Sequence, residues 1–122
     1  MTSNPTPVIT TENTVTLISL GPAFDNLDEK LLDEVKDTIL DAANAADPPL
    51  VVLDLTNVTF FGSSFIEVLF RIWNRVNGQD GGRFGIYGLT PYCKEVLEVT
   101  HLDRLWGIFD TKDEALSDIV GD

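Results

Sequence analysis

The segment "VTFFGSSFIEVLF", Val58–Phe70, leads from a strand-like approach through one glycine and two serines into a strongly apolar stretch. The onset of helical periodicity predicts that a helix begins near Ser63 or Ser64. Ser64 and Glu67 stand three residues apart, which is the spacing of a capping box. Two roles for Ser64 follow: it caps the helix, or it carries a phosphoryl group, which the positive helix N-terminus tolerates. Ser63 is the second choice for either role.

The helix after the serines is apolar around more of its circumference than one buried face requires. Its large residues fall into two adjacent stripes: Phe65, Leu69, Ile72 and Val76 form one, and Ile66, Phe70 and Trp73 form the other. In one interpretation, the helix packs both on a sheet and against neighbouring helices. In the other, its outer face docks a partner protein. The sequence leaves both interpretations open.

Strands and helices alternate along the rest of the chain. The expected strands are Thr14–Leu20, Leu50–Leu55, Arg83–Leu89 and Gly107–Phe109, each followed by a helical segment. In the first helix, Asn26 and Glu29 are spaced like a capping box, and Thr90 and Thr111 are expected to cap the last two helices. The alternation predicts an α/β fold with a mixed four- or five-stranded sheet and covering helices. We expect residues 1–13 to be flexible, with Val8 and Ile9 able to add an edge strand.

The composition and the net charge of the chain exclude several classes of function. The 122 residues fit one domain, and 20 acidic against 8 basic residues give a net charge of -12. Such a surface disfavours nucleic acid and anionic membranes, and no apolar run approaches the ~20 residues of a membrane span. The single cysteine allows no internal disulfide, and the first residues lack the pattern of a signal peptide. We therefore expect a cytoplasmic protein without a cofactor or a metal.

Three features together resemble the STAS domain of anti-sigma factor antagonists: "VVLDLTNVTFFGSS", the element order, and "RFGIYGL" leading to "TPYCKEVLEVTHLDRLW". The resemblance covers roughly residues 8–120. Members of this family place Asp-Ser-Ser-Gly or Asp-Ser-Thr-Gly at the start of a helix, and the second hydroxyl residue is phosphorylated in regulated members. That position is Ser64 here, and Ser63 is the first hydroxyl. Gly62 stands where the family has Asp, and Phe65 stands where it has Gly.

The resemblance implies a non-enzymatic regulatory module that acts by protein–protein interaction in a partner-switching pathway of transcription regulation. The implied partner is an anti-sigma factor or a serine kinase-like protein, and a homodimer is a further expectation. The residues expected to bind the partner surround the serines and follow the apolar helix: Asp25, Gly62, Ser63, Phe65, Ile66, Leu69, Phe70 and Trp73.

Two other functions remain as alternatives. One is a constitutive STAS scaffold subunit without a phosphorylation switch. The other is a small enzyme, for which the best residues are the two serines with Asp54, Cys93 and His101. No triad order or cofactor motif supports the enzyme. Cys93 is expected to be a small, partly buried residue near the start of a helix, and that position could lower the pKa of its thiol. Asp54 is expected to brace the serine loop or to point outward at its strand end.

Overall fold

The computed structural model describes residues 7–12, 14–21 and 24–120. The prediction of a flexible segment at 1–13 therefore lies partly outside the described residues. The elements in chain order are β1 (Val8–Glu12), β2 (Val15–Ser19), β3 (Asn26–Leu27), α1 (Glu29–Ala45), β4 (Leu50–Asp54), β5 (Phe60–Phe61), α2 (Ser63–Asn77), β6 (Arg83–Tyr87), α3 (Pro91–Val99), a 3₁₀ turn (Leu102–Arg104), β7 (Gly107–Phe109) and α4 (Lys112–Val120).

Five of the strands form one mixed sheet in the order β1-β2-β4-β6-β7. β1 is antiparallel to β2, and every other neighbouring pair in this sheet is parallel. Val8 and Ile9 lie in β1, at an edge of the sheet, and both side chains are exposed. The predicted α/β class, the mixed sheet and the covering helices are confirmed.

The sheet separates two apolar clusters because side chains alternate across each strand. The larger cluster packs the sheet against α1, α2 and α3, and it includes Ile39, Leu69 and Leu97. The smaller cluster packs the other face of the sheet against α4. There the Ile119 side chain lies over Gly85 and would contact any Cβ added at that position. The helices α1–α4 are therefore held against the sheet by burial of their apolar faces, as expected for a covered sheet.

The first residues of the helices show which of the capping predictions are correct. Thr90 caps α3, and Thr111 and Glu114 form the reciprocal bonds of a capping box before α4, as predicted. The capping box of Asn26 and Glu29 is wrong. Asn26 is held in an extended strand by pairing with β5, so the helix begins later and Asp28 caps it through a 2.9 Å bond from the Leu31 amide.

Candidate functional site

The serine pair lies at a corner where two helices begin side by side. β3 and β5 form a separate two-stranded parallel ribbon, and each strand leads directly into a helix, α1 and α2 respectively. The carbonyl of Asp25 reinforces this ribbon by accepting bonds from the amides of Thr59 at 2.7 Å and Phe60 at 3.1 Å. The structure thus brings Asp25 close to the segment that leads into Gly62 and the serines.

Both serines belong to the first turn of α2, and neither of them caps it. The N-cap is Gly62, which has no side chain to offer, so the capping box of Ser64 and Glu67 is wrong. Ser63 is the first helical residue and is exposed, whereas Ser64 is the second and is half-buried. The Glu67 carboxylate instead binds Arg71 at 2.9 Å, one turn further along. The side-chain oxygens of the serines are consequently not committed to the helix end.

Ser64 makes a contact that the sequence did not indicate. Its Oγ donates a hydrogen bond to Oε1 of Glu29, the first residue of α1, at 2.9 Å. A groove of about 400 Å³ continues from this pair between the two helices. Its charged lining alternates in sign: Glu29, Lys30, Asp33, Lys36, Glu67 and Arg71. The corner therefore combines a serine hydroxyl, two positive helix ends and a carboxylate in direct contact.

One of the two apolar stripes of α2 is fully buried, whereas a docking surface has to be exposed. Phe65 and Leu69 both have no exposed surface, and the Phe65 ring packs 5.2 Å from that of Phe61. The prediction that Phe65 and Leu69 bind a partner is therefore wrong for this structure, because their stripe faces the sheet. Ile66, Phe70 and Trp73 are half-buried and pack against the same cluster. Of the expected docking residues, Asp25 and Ser63 are exposed.

Two exposed aromatic rings beside the serines were missed by the sequence reasoning. Phe60 and Tyr92 remain 42% and 50% exposed, and their rings stack with centroids 6.0 Å apart. Phe60 also lines a second groove with Ser63 and Ser64. Period-two alternation within "FF" could have indicated that one ring of the pair points outward. These rings extend the accessible corner toward the start of α3.

Asp54 does not brace the serine loop. Its Oδ1 accepts bonds from the amide of Thr56 at 3.0 Å and from the Thr56 hydroxyl at 2.6 Å, so it fixes the turn after β4. Tyr87 lies opposite it on β6. Burial raises the pKa of the Tyr87 hydroxyl, and the hydrogen bond to Asp54 and the charge of that carboxylate raise the pKa further.

This raised pKa predicts a loss of stability in alkali. The unfolded chain releases the Tyr87 proton near pH 10, whereas the folded chain retains it. The stabilisation is fully present below pH 10 and falls by about 1.4 kcal/mol per pH unit above it. Urea unfolding between pH 8 and 11 should show this decline, and Tyr87→Phe should make it shallower. Identical slopes in the two proteins would contradict the assignment.

The candidate residues for an enzyme are not brought together. Cys93 is fully buried, and its Sγ contacts the carbonyl oxygen of Val58 at 3.7 Å. Burial raises the pKa of this thiol, so the expectation of a lowered value is wrong. His101 is exposed beyond the opposite end of α3, with a left-handed φ of 62°. Ser64 therefore has a carboxylate rather than an imidazole as its side-chain partner.

Within residues 7–12, 14–21 and 24–120, no three histidine, cysteine or carboxylate side chains are grouped to hold a metal ion. In the same part of the chain, no helix combines the length and the apolarity that crossing a membrane would need.

Comparison with known proteins decides the family. The model of the STAS domain matches residues 14–115, which is most of the chain. The chain belongs to the STAS domain family. A solved STAS relative is an anti-sigma-factor antagonist domain protein from Planctomyces limnophilus, with 41% identity and a TM-score of 0.91. It is matched over 95% of this chain and 99% of its own.

Two further similar proteins were found. The anti-sigma-F factor antagonist RsfB of Mycobacterium tuberculosis is 25% identical over 116 residues, which cover 95% of this chain and 90% of RsfB. The Bacillus cell fate determinant SpoIIAA in its phosphorylated form has a TM-score of 0.65 and 15% identity, over 93% of this chain and 98% of its own. At that identity the likeness to SpoIIAA concerns the fold alone.

Proposed function

We propose that this protein is a non-enzymatic binding module that acts as an anti-sigma factor antagonist and is controlled by phosphorylation of Ser64. The observation that carries the proposal is the placement of the Ser64 hydroxyl, half-buried in the first turn of α2 and free of any capping role. The names of its STAS relatives support an anti-sigma factor as the partner. The expected site of action is the cytoplasm.

The local electrostatics suit this modification. The first turn of α2 presents amides without intrahelical partners and a partial positive charge. A phosphoserine adds about two negative charges and three acceptor oxygens, which such a helix end stabilises. Ser63 lies in the same first turn of α2 and is more exposed, so it is the alternative residue to accept the phosphoryl group.

The proposed reaction belongs to the partner kinase. The terminal phosphoryl group of ATP is transferred to Oγ of Ser64, the bond between that phosphorus and the bridging oxygen breaks, and ADP leaves. The hydroxyl proton passes to a base of the kinase. The unmodified chain binds the anti-sigma factor, and the added charge at the corner weakens that complex. Pairing of two copies of the chain stays a prediction.

The matched variants Ser64→Ala and Ser63→Ala test the site. The protein is incubated with ATP and each purified serine kinase-like anti-sigma factor encoded in its source genome, and phosphate is mapped by mass spectrometry. We expect complete loss of phosphate in Ser64→Ala and normal incorporation in Ser63→Ala. Undiminished incorporation in Ser64→Ala would refute the assignment. If Ser64→Asp binds the anti-sigma factor as tightly as the unmodified chain does, a constitutive scaffold is the better description.

A further inference from the structure

The contact between Ser64 and Glu29 joins two elements that are far apart in sequence. Glu29 is the first residue of α1 and Ser64 is the second of α2, and the hydroxyl donates to the carboxylate at 2.9 Å. Gly62 supplies no carboxylate before the serines, so the acidic group beside the hydroxyl comes from α1 instead. The hydrogen bond thus ties the start of α1 to the start of α2.

Phosphorylation would turn this attraction into repulsion. The modified oxygen has no proton to donate, and about two negative charges would lie against the Glu29 carboxylate. The cations of the adjoining groove are mostly engaged: Lys36 pairs with Asp33 at 3.0 Å, and Arg71 pairs with Glu67 at 2.9 Å. Lys30 has no ion pair within the described residues and lines both grooves with Ser64, so its single charge offsets only part of the roughly two negative charges of the phosphoryl group.

We propose that Glu29 is the positioning residue that couples modification of Ser64 to the placement of α1. It holds the hydroxyl in the unmodified chain and repels the phosphoryl group in the modified one, which loosens the first turn of α1. The inference rests on the proposed function only in taking Ser64 as the modified residue.

The test places phosphoserine at position 64 during translation, so it needs neither a kinase nor a partner. The titration of the phosphate is followed by ³¹P NMR in the otherwise native chain and in Glu29→Gln, which keeps an acceptor but removes the charge. Because the carboxylate disfavours the dianion, we expect the midpoint to lie roughly half a pH unit higher in the chain with Glu29. Glu34→Gln, an exposed site on α1 that lines neither groove, should leave the midpoint unchanged.

Hydrogen exchange provides a second readout of the same coupling. The amides of Leu31 and Leu32 donate to Asp28 at the start of α1. Phosphorylation should accelerate their exchange by about fivefold with Glu29 and leave it unchanged in Glu29→Gln. Equal ³¹P midpoints in the two chains, or equal acceleration of exchange in both, would overturn the inference. Neither result would bear on whether a kinase modifies Ser64, so the two proposals fail separately.

Discussion

Replacement of Phe65 by alanine is expected to lower the free energy of unfolding by about 3–5 kcal/mol. The side chain has no exposed surface and packs against Phe61 and the larger cluster. Its removal leaves a cavity directly beneath the serines, and the α2 backbone can close that cavity only in part. The loss combines the transfer free energy of the ring with the contacts that its neighbours no longer make.

The matched control for Phe65→Ala is Phe60→Ala, five positions earlier in the chain. Phe60 is 42% exposed and stacks on Tyr92 at the surface, so its loss should cost less than about 1 kcal/mol. Urea unfolding of both variants by circular dichroism makes the comparison. Similar losses in the two variants would show that the ring of Phe65 is not held in the interior.

Gly88→Ala should destabilise the protein by about 2–5 kcal/mol, the sum of backbone strain and overpacking. Gly88 has a φ of +78°, in the left-handed region, and an added Cβ would lie 2.4 Å from Oγ1 of Thr56. Thr56 cannot move aside freely because its hydroxyl and amide are both bound to Asp54. Both penalties therefore act at one position.

Gly81→Ala separates these two penalties. Gly81 has nearly the same φ, +76°, but an added Cβ would meet nothing within 4 Å. Its replacement should cost only the strain, about 1–2 kcal/mol. Thermal and urea unfolding of the two variants measure the difference. Equal costs would mean that the close approach of Thr56 to Gly88 has no energetic weight.

The sheet and its helices could be predicted because their apolar patterns are long and regular. The middle of β4, Val51–Leu53, is buried on both faces and lies between two parallel neighbours, as the continuous apolar run indicated. The ribbon of β3 and β5 could not be found in this way, since two residues in each strand carry no periodicity. Pairing with β5 then displaced the start of α1 from the position that its capping pattern favoured.

The position of the serines was predictable, but their partners were not. A capping box is a local pattern, and it failed at Ser64 because the helix begins earlier, with Gly62 as its N-cap. The Ser64 hydroxyl instead bonds a carboxylate 35 residues away in the chain. Helical spacing separated the two apolar stripes correctly, yet it could not decide which of them faces the sheet. The deep burial of Phe65 and the outward stacking of Phe60 on Tyr92 both depend on contacts with other elements.

The apolar interior is divided into two clusters that lie on opposite faces of the sheet. The serine corner draws its support from the larger cluster, whereas α4 is anchored by the smaller one on the opposite face. The two regions share the strands but not their side chains, so local opening of α4 is expected to leave the packing beneath the serines in place.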